Sequence, residues 1–79
     1  MNATNATPTV LDLRGLSCPL PIVKTAQAMR GLPAGSLVEM LATDPGSVPD
    51  VAAWCRSTGN VLVDQWNEAG VFRFLIRKG

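Results

Sequence analysis

The chain has 79 residues, a formal net charge of +1 and a hydrophobic fraction of 47%. This length suits one small domain, and the hydrophobic fraction is sufficient for a packed core rather than a disordered chain. The balanced charge, without a block of lysine and arginine, argues against a protein that binds nucleic acid directly. No apolar segment approaches the roughly 18 residues that a membrane span requires.

The hydrophobic pattern predicts a tail followed by six elements in one domain. Residues 1–8 are predicted to form a disordered N-terminal tail, and residues 9–79 a single domain. The predicted elements in chain order are a strand over 10–13, a helix over about 19–30, a strand over 36–43, a helix between its cap at 47 and its end at 59, a strand over 61–66 and a strand over 71–76. Right-handed crossovers then predict an α/β fold, a two-layer β-α-β-α-β-β sandwich with a four-stranded mixed sheet and two helices on one face.

The first predicted helix has apolar residues at spacings of three and four. This apolar face consists of Ile22, Val23, Ala26 and Met29. A glycine directly after a helix commonly ends it, so Gly31 is predicted to be the stop.

The second predicted helix has a cleaner pattern. Ser47 is predicted to be its N-cap, and Asp50 three residues on resembles the partner residue of a capping box. Its apolar face has the spacing i, i+3, i+4 and i+7 and consists of Val48, Val51, Ala52 and Cys55. Cys55 is therefore predicted to be a core residue, and Gly59 to end the helix.

Two further features outside these faces have two interpretations each, and a third has one. The two tryptophans, Trp54 and Trp66, either pack at the edge of the core or dock a partner protein. Arg77 and Lys78 either form a solvated basic end of the chain or contact an acidic partner. The four residues 67–70 are predicted to form the turn of a hairpin between the last two strands.

Histidine is absent, and cysteine occurs twice, at Cys18 and Cys55. Without histidine, Cys–His and Ser–His catalytic pairs and histidine metal ligands are excluded. Two distant cysteines form no Cys-x-x-Cys motif and provide too few ligands for zinc, so we expect no metal and no cofactor. A Cys18–Cys55 disulfide stays open as an alternative, although the lack of a recognisable export signal favours the reducing cytoplasm.

Cys18 is the candidate reactive residue, because it precedes two prolines at a strand-to-helix junction. Pro19 and Pro21 suit a first helical turn, where the N–H groups have no intrahelical partner. Ser17 and Cys18 then lie at the helix N-terminus, where the helix dipole favours negative charge. We therefore expect Cys18 to titrate below the ordinary thiol value of about 8.5. A small buried residue at a helix cap is the alternative interpretation.

Two neighbouring residues are candidate supports for Cys18. The first two strands are predicted to be parallel, so the loop before the first helix and the loop over 44–47 should meet at one sheet edge. Asp44 is therefore either a turn residue or a group that steers Cys18. Arg14 is either a solvated arginine at the strand end or a source of positive potential near Cys18.

Residues 11–21, Leu-Asp-Leu-Arg-Gly-Leu-Ser-Cys-Pro-Leu-Pro, resemble the TusA/SirA family of small sulfur-carrier proteins. The family signature is Cys-Pro-x-Pro at the start of the first helix, preceded by Asp-x-Arg-Gly-Leu. The end of the family's second strand is similar to residues 42–45, and its last strand is similar to residues 72–79. The resemblance therefore covers about residues 9–79. It implies the same sandwich fold, with Cys18 bearing sulfur as a persulfide and with Pro19 and Pro21 as the motif prolines.

The resemblance also implies partners and a pathway type. Family members take sulfane sulfur from a cysteine desulfurase or a rhodanese-type donor and pass it to a cysteine of an acceptor protein. The destinations are tRNA thiolation, molybdoenzyme maturation or sulfur oxidation. The chain would then be a monomeric cytoplasmic sulfurtransferase-type carrier rather than a stand-alone enzyme. The alternative is a non-catalytic interaction or regulatory module with a redox-sensitive Cys18.

Overall fold

The computed structural model of the protein describes residues 7–79, so positions 1–6 of the predicted tail over 1–8 lie outside the described residues. Six elements follow in the order β-α-β-α-β-β, as predicted. They are β1 Thr9–Asp12, α1 Leu20–Met29, β2 Leu37–Ala42, α2 Ser47–Thr58, β3 Val61–Glu68 and β4 Val71–Arg77. Among the described residues, none of the helices has the length and apolarity needed to traverse a bilayer.

The four strands form one mixed sheet in the order β1-β2-β4-β3. β1 and β2 are parallel, whereas β4 is antiparallel to both β2 and β3. The parallel pair requires a crossover, which α1 provides, and the antiparallel β3–β4 pair requires only a tight turn. The predicted two-layer α/β sandwich, with a four-stranded mixed sheet and both helices on one face, is confirmed.

The core lies between the helices and the two central strands. Alternate residues of β2, namely Val38, Met40 and Ala42, are fully buried. In the antiparallel register, Ile76 and Phe74 of β4 stand opposite Val38 and Met40 and are also buried. Because successive side chains of a strand point to opposite faces, this alternation identifies the face that the helices cover.

The helix faces agree with the sequence for α2 and only in part for α1. In α2, Val51 and Cys55 are buried, as predicted. In α1, Val23 is 42% exposed, so its assignment to the apolar face was wrong. The buried position is Thr25, whose hydroxyl donates to the Pro21 carbonyl at 2.8 Å and so needs no water. A threonine whose hydroxyl forms a hydrogen bond within its own helix can occupy a core position.

One predicted helix cap was wrong. Ser47 is the first residue of α2 and is buried, and the N-cap is Gly46. Gly31 follows the C-cap Arg30 of α1, as predicted, but it does not have the positive φ of a left-handed cap. Lys78 donates to the carbonyls of Met29 and Leu32 at 2.8 and 2.6 Å. Lys78 is therefore a cap for α1, not part of a solvated basic end. The sequence could not indicate this, because Lys78 lies 49 residues from Met29.

The ends of α2 and β3 add one confirmation and one correction. Gly59 ends α2 with φ of 79° and donates its N–H to the Cys55 carbonyl at 3.0 Å, as predicted. β3 continues to Glu68, so the hairpin turn has two residues rather than four. Ala69 and Gly70 both have positive φ, the backbone geometry that closes a two-residue hairpin.

The core position of Cys55, which is 4% exposed, yields a stability prediction. We expect Cys55→Ala to lower the free energy of unfolding by on the order of 1 kcal/mol, because it removes one buried sulfur atom. Cys55→Ser should cost more, because it buries a hydroxyl without an assured partner. Denaturant titration followed by circular dichroism measures both. A serine variant as stable as the alanine variant would contradict an apolar environment.

Candidate functional site

Cys18 lies in the loop that leads from β1 into α1, two positions before the first helical residue. Pro19 is the N-cap, and the buried Pro21 belongs to the first turn, as the motif predicts. The carbonyl of Ser17 accepts the Leu20 N–H at 2.9 Å, which closes the turn into the helix. Cys18 is an exposed free thiol, so it is not a buried cap residue.

The second thiol takes no part in this site. Cys55 is free and buried in the core, whereas Cys18 is free and exposed, so the alternative disulfide is not formed. A buried thiol away from water is a poor nucleophile, and burial raises the pKa of the Cys55 thiol. The geometry therefore supports a single reactive cysteine.

Two loops meet at the carboxyl ends of β1 and β2, as the parallel arrangement predicts. The N–H of Gly15 donates to the hydroxyl of Thr43 at 2.9 Å. The N–H of Cys18 donates to the carboxylate of Asp44 at 2.7 Å, across 26 residues of sequence. These two bonds tie the Cys18 loop to the end of β2, so the position of Cys18 depends on the second loop as well as its own.

Asp44 contacts both its own turn and the Cys18 loop. One carboxylate oxygen accepts from Cys18, and the other accepts from the N–H of Gly46 at 3.1 Å within its own turn. These two N–H groups, that of Cys18 most strongly, lower the pKa of Asp44 below its ordinary value. Asp44 is thus a charged turn residue that also fixes the backbone of Cys18.

Asp50 is the site residue that sequence analysis missed. The thiol of Cys18 donates to the carboxylate of Asp50, which lies in the first turn of α2, 32 residues away in sequence. The resemblance of Asp50 to a capping-box partner of Ser47 is wrong, because α2 has no side-chain cap. Its position in the first turn of a helix that starts at the same sheet edge was the signal that could have identified it.

The carboxylates reverse the predicted acidity of Cys18. The pKa of the Cys18 thiol is raised, because its hydrogen bond to Asp50 favours the protonated form. Partial desolvation and the negative charges of Asp50 and Asp44 act in the same direction. The expectation of a lowered pKa was wrong because it counted only the helix N-terminus and not the two acidic side chains beside it.

Arg14 is paired with Asp12 rather than directed to the thiol. Its guanidinium forms two hydrogen bonds to the Asp12 carboxylate, at 2.7 and 2.8 Å, and both side chains are exposed. The hydrogen bond from Arg14 lowers the pKa of Asp12 to about 2. Asp12 therefore offsets the positive charge that was expected to act near Cys18.

Gly46 leaves space beside Cys18. Its φ of −62° is accessible to every residue, so the backbone does not require glycine here. A Cβ atom at this position would lie 3.7 Å from the Cβ of Cys18 and 3.5 Å from a carboxylate oxygen of Asp44. A Cβ at position 46 would therefore make ordinary van der Waals contact with Cys18 and Asp44.

Comparison with known proteins identifies relatives over nearly the whole chain. The family model for sulfurtransferase TusA matches residues 9–78, which include Cys18, Asp44 and Asp50. The chain is 44% identical to the sulfur carrier protein TusA of Allochromatium vinosum over 68 residues, which are 86% of this chain and 90% of that protein. It is 42% identical to the sulfur carrier protein TusA of Pseudomonas putida over 76 residues, which are 95% of each chain.

The geometry predicts an elevated titration midpoint for Cys18. The rate of alkylation by iodoacetamide follows the thiolate fraction, so its pH profile should have a midpoint above the ordinary thiol value of about 8.5. Mass spectrometry of the peptide that contains Cys18 separates its signal from that of Cys55. A midpoint below the ordinary value would show that the helix N-terminus outweighs Asp50 and Asp44.

Proposed function

The chain belongs to the TusA sulfurtransferase family, and on that premise we propose that it carries sulfane sulfur as a persulfide on Cys18. The persulfide sulfur is then passed to a cysteine of an acceptor protein. The observation that carries this proposal is the exposed Cys18 thiol at the start of α1, with its backbone fixed by Asp44.

The proposed step is an exchange of one sulfur atom between thiols. The thiolate of Cys18 attacks the outer sulfur of a persulfide on the donor protein, a new S–S bond forms, and the donor's own S–S bond breaks. The donor cysteine leaves as a thiolate and takes up the proton that Cys18 lost. The reverse of this step, with an acceptor thiolate attacking the outer sulfur on Cys18, unloads the carrier. No external oxidant or reductant is consumed.

The proposed partners are two proteins, a sulfur donor of the cysteine desulfurase or rhodanese type and an acceptor with a reactive cysteine. Support comes from the exposure of Cys18, since a second thiol must approach the sulfur closely. A free thiol is the form that this chemistry needs, which suits the reducing cytoplasm. We propose a monomeric carrier that supplies tRNA thiolation, molybdoenzyme maturation or sulfur oxidation.

The alternative function, an interaction module with a redox-sensitive Cys18, has less support. Oxidation of cysteine follows its thiolate character, and redox-sensing cysteines have a lowered pKa. The pKa of Cys18 is raised, with Asp50 as the main cause. The same contact also opposes thiol exchange, so the observation that favours a sulfur carrier over a sensor is the similarity to proteins named sulfur carriers.

Mass spectrometry tests the sulfur-carrier proposal directly. Incubation with a cysteine desulfurase and cysteine, or with a rhodanese and thiosulfate, should add about 32 Da to Cys18, the mass of one sulfur atom. Cys18→Ser should lose this addition and keep its melting temperature, because Cys18 is exposed and its loss leaves no core cavity.

Cys55→Ala is the matched control, since it removes the other thiol of the chain. It should load sulfur on Cys18 as the unmodified protein does, because Cys55 is buried away from the site. Loss of loading in this variant would indicate a mechanism with two thiols. Absence of the added mass on Cys18 with both donor systems would contradict the sulfur-carrier proposal itself.

A further inference from the structure

The contact between Cys18 and Asp50 opposes the proposed reaction rather than promoting it. Thiol exchange requires the thiolate, because the thiolate is the nucleophile. A carboxylate that accepts the thiol proton stabilises the neutral thiol instead. The folded site thus lowers the population of the form that attacks a donor persulfide.

Asp44 and Asp50 are the charged groups that act on the Cys18 thiol, and both are acidic. The ion pairs within residues 7–79 are Arg14–Asp12, Arg73–Glu39 and Arg73–Glu68, so neither of these two carboxylates is neutralised by an ion pair there. The basic residue nearest in sequence, Arg14, is engaged with Asp12. The thiol therefore faces two negative charges that no ion pair within residues 7–79 neutralises.

The two carboxylates differ in what they bind. Asp44 accepts two backbone N–H groups, those of Cys18 and Gly46, and so holds the loops together. Within residues 7–79, the side-chain hydrogen bond of Asp50 is the one to the sulfur of Cys18. Asp50 therefore contacts the reacting atom itself, and its removal leaves the loop contacts of Asp44 in place.

We propose that Asp50 restrains Cys18 in the sulfur-free carrier: its carboxylate holds the proton on the thiol and makes Cys18 slow to react with small electrophiles and oxidants. The inference rests on the proposed function, in which Cys18 is the residue that bears the sulfur. Restraint has a clear use in such a carrier, because an exposed thiol that is oxidised cannot accept sulfur.

The test is the substitution Asp50→Asn, which keeps the shape of the side chain and removes its charge. The probe is iodoacetamide, and the rate of Cys18 alkylation is measured as a function of pH. We expect the midpoint to fall by about one pH unit, the lower end of the effect of a neighbouring charge. At neutral pH the rate should then rise about threefold, because a tenfold gain in thiolate is offset by its weaker nucleophilicity.

Asp64→Asn is the matched control. Asp64 is an exposed carboxylate on β3, the strand at the far edge of the sheet from β1, and its side chain accepts from the neighbouring Gln65 N–H at 2.8 Å. This variant has the same change in net charge, and it should keep the midpoint and rate of the unmodified protein. In denaturant, Cys18 should react equally fast in all three proteins, because the contact with Asp50 is lost.

A lower midpoint and a faster reaction in Asp50→Asn, with Asp64→Asn unchanged, support the restraint. An unchanged midpoint overturns it, and so does a slower reaction, which would show that Asp50 assists as a base. Circular dichroism shows whether Asp50→Asn is folded. If it is not, Asp50→Ser, a residue suited to the first turn of a helix, provides the same comparison.

The alkylation test is independent of the sulfur-carrier proposal. Loading with a desulfurase and cysteine is measured on the unmodified protein and on Asp50→Asn. If neither gains sulfur on Cys18, the proposed function fails, whereas the alkylation rates still decide whether Asp50 restrains the thiol. If both gain sulfur and the alkylation rates do not differ, the function stands and the restraint is refuted.

Discussion

The parallel pairing of β1 with β2 is the constraint on which the whole site depends. Its register, from Thr9 opposite Val38 to Asp12 opposite Leu41, brings the carboxyl ends of both strands to one edge of the sheet. Each of these strands leads into a helix, so α1 and α2 both begin at that edge. Residues separated by 26 and 32 positions along the chain therefore come into contact. A slip of this register would separate Cys18 from both carboxylates.

Two opposing electrostatic effects act on the Cys18 sulfur, that of the helix N-terminus and that of the Asp50 carboxylate. The charge and position of each group decide which effect is larger. A helix N-terminus acts as roughly half a positive charge spread over several N–H groups. A carboxylate has a full negative charge, and that of Asp50 contacts the sulfur directly. The N–H of Cys18 is already bound by Asp44, so it is not directed at the sulfur. The direct contact therefore dominates, and the thiol is held neutral despite its place at a helix start.

Local sequence patterns predicted what depends on neighbours in the chain and failed where distant segments meet. Periodicity placed Cys55 in the core, because the spacing of α2 alone fixes its buried face. It misplaced Val23, because the rotation of α1 on the sheet depends on packing that buries Thr25 instead. Capping preferences predicted Ser47 as a cap and Asp50 as its partner, whereas Asp50 contacts Cys18 in another loop. The contact between Asp50 and Cys18 has no local signature in the sequence.

Under the proposed function, the contact with Asp50 would differ between the empty and the sulfur-loaded carrier. In a persulfide, the Cys18 sulfur is bonded to carbon and to the outer sulfur, so it has no proton to donate to Asp50. A persulfide is more acidic than a thiol, and its negative charge would face Asp44 and Asp50 with no compensating ion pair within residues 7–79. The same charges that favour a neutral thiol would therefore favour the protonated persulfide over its anion. Under the proposed function, sulfur loading would thus remove the direct hydrogen bond to Asp50 and leave only the charges of the two carboxylates to act on the sulfur.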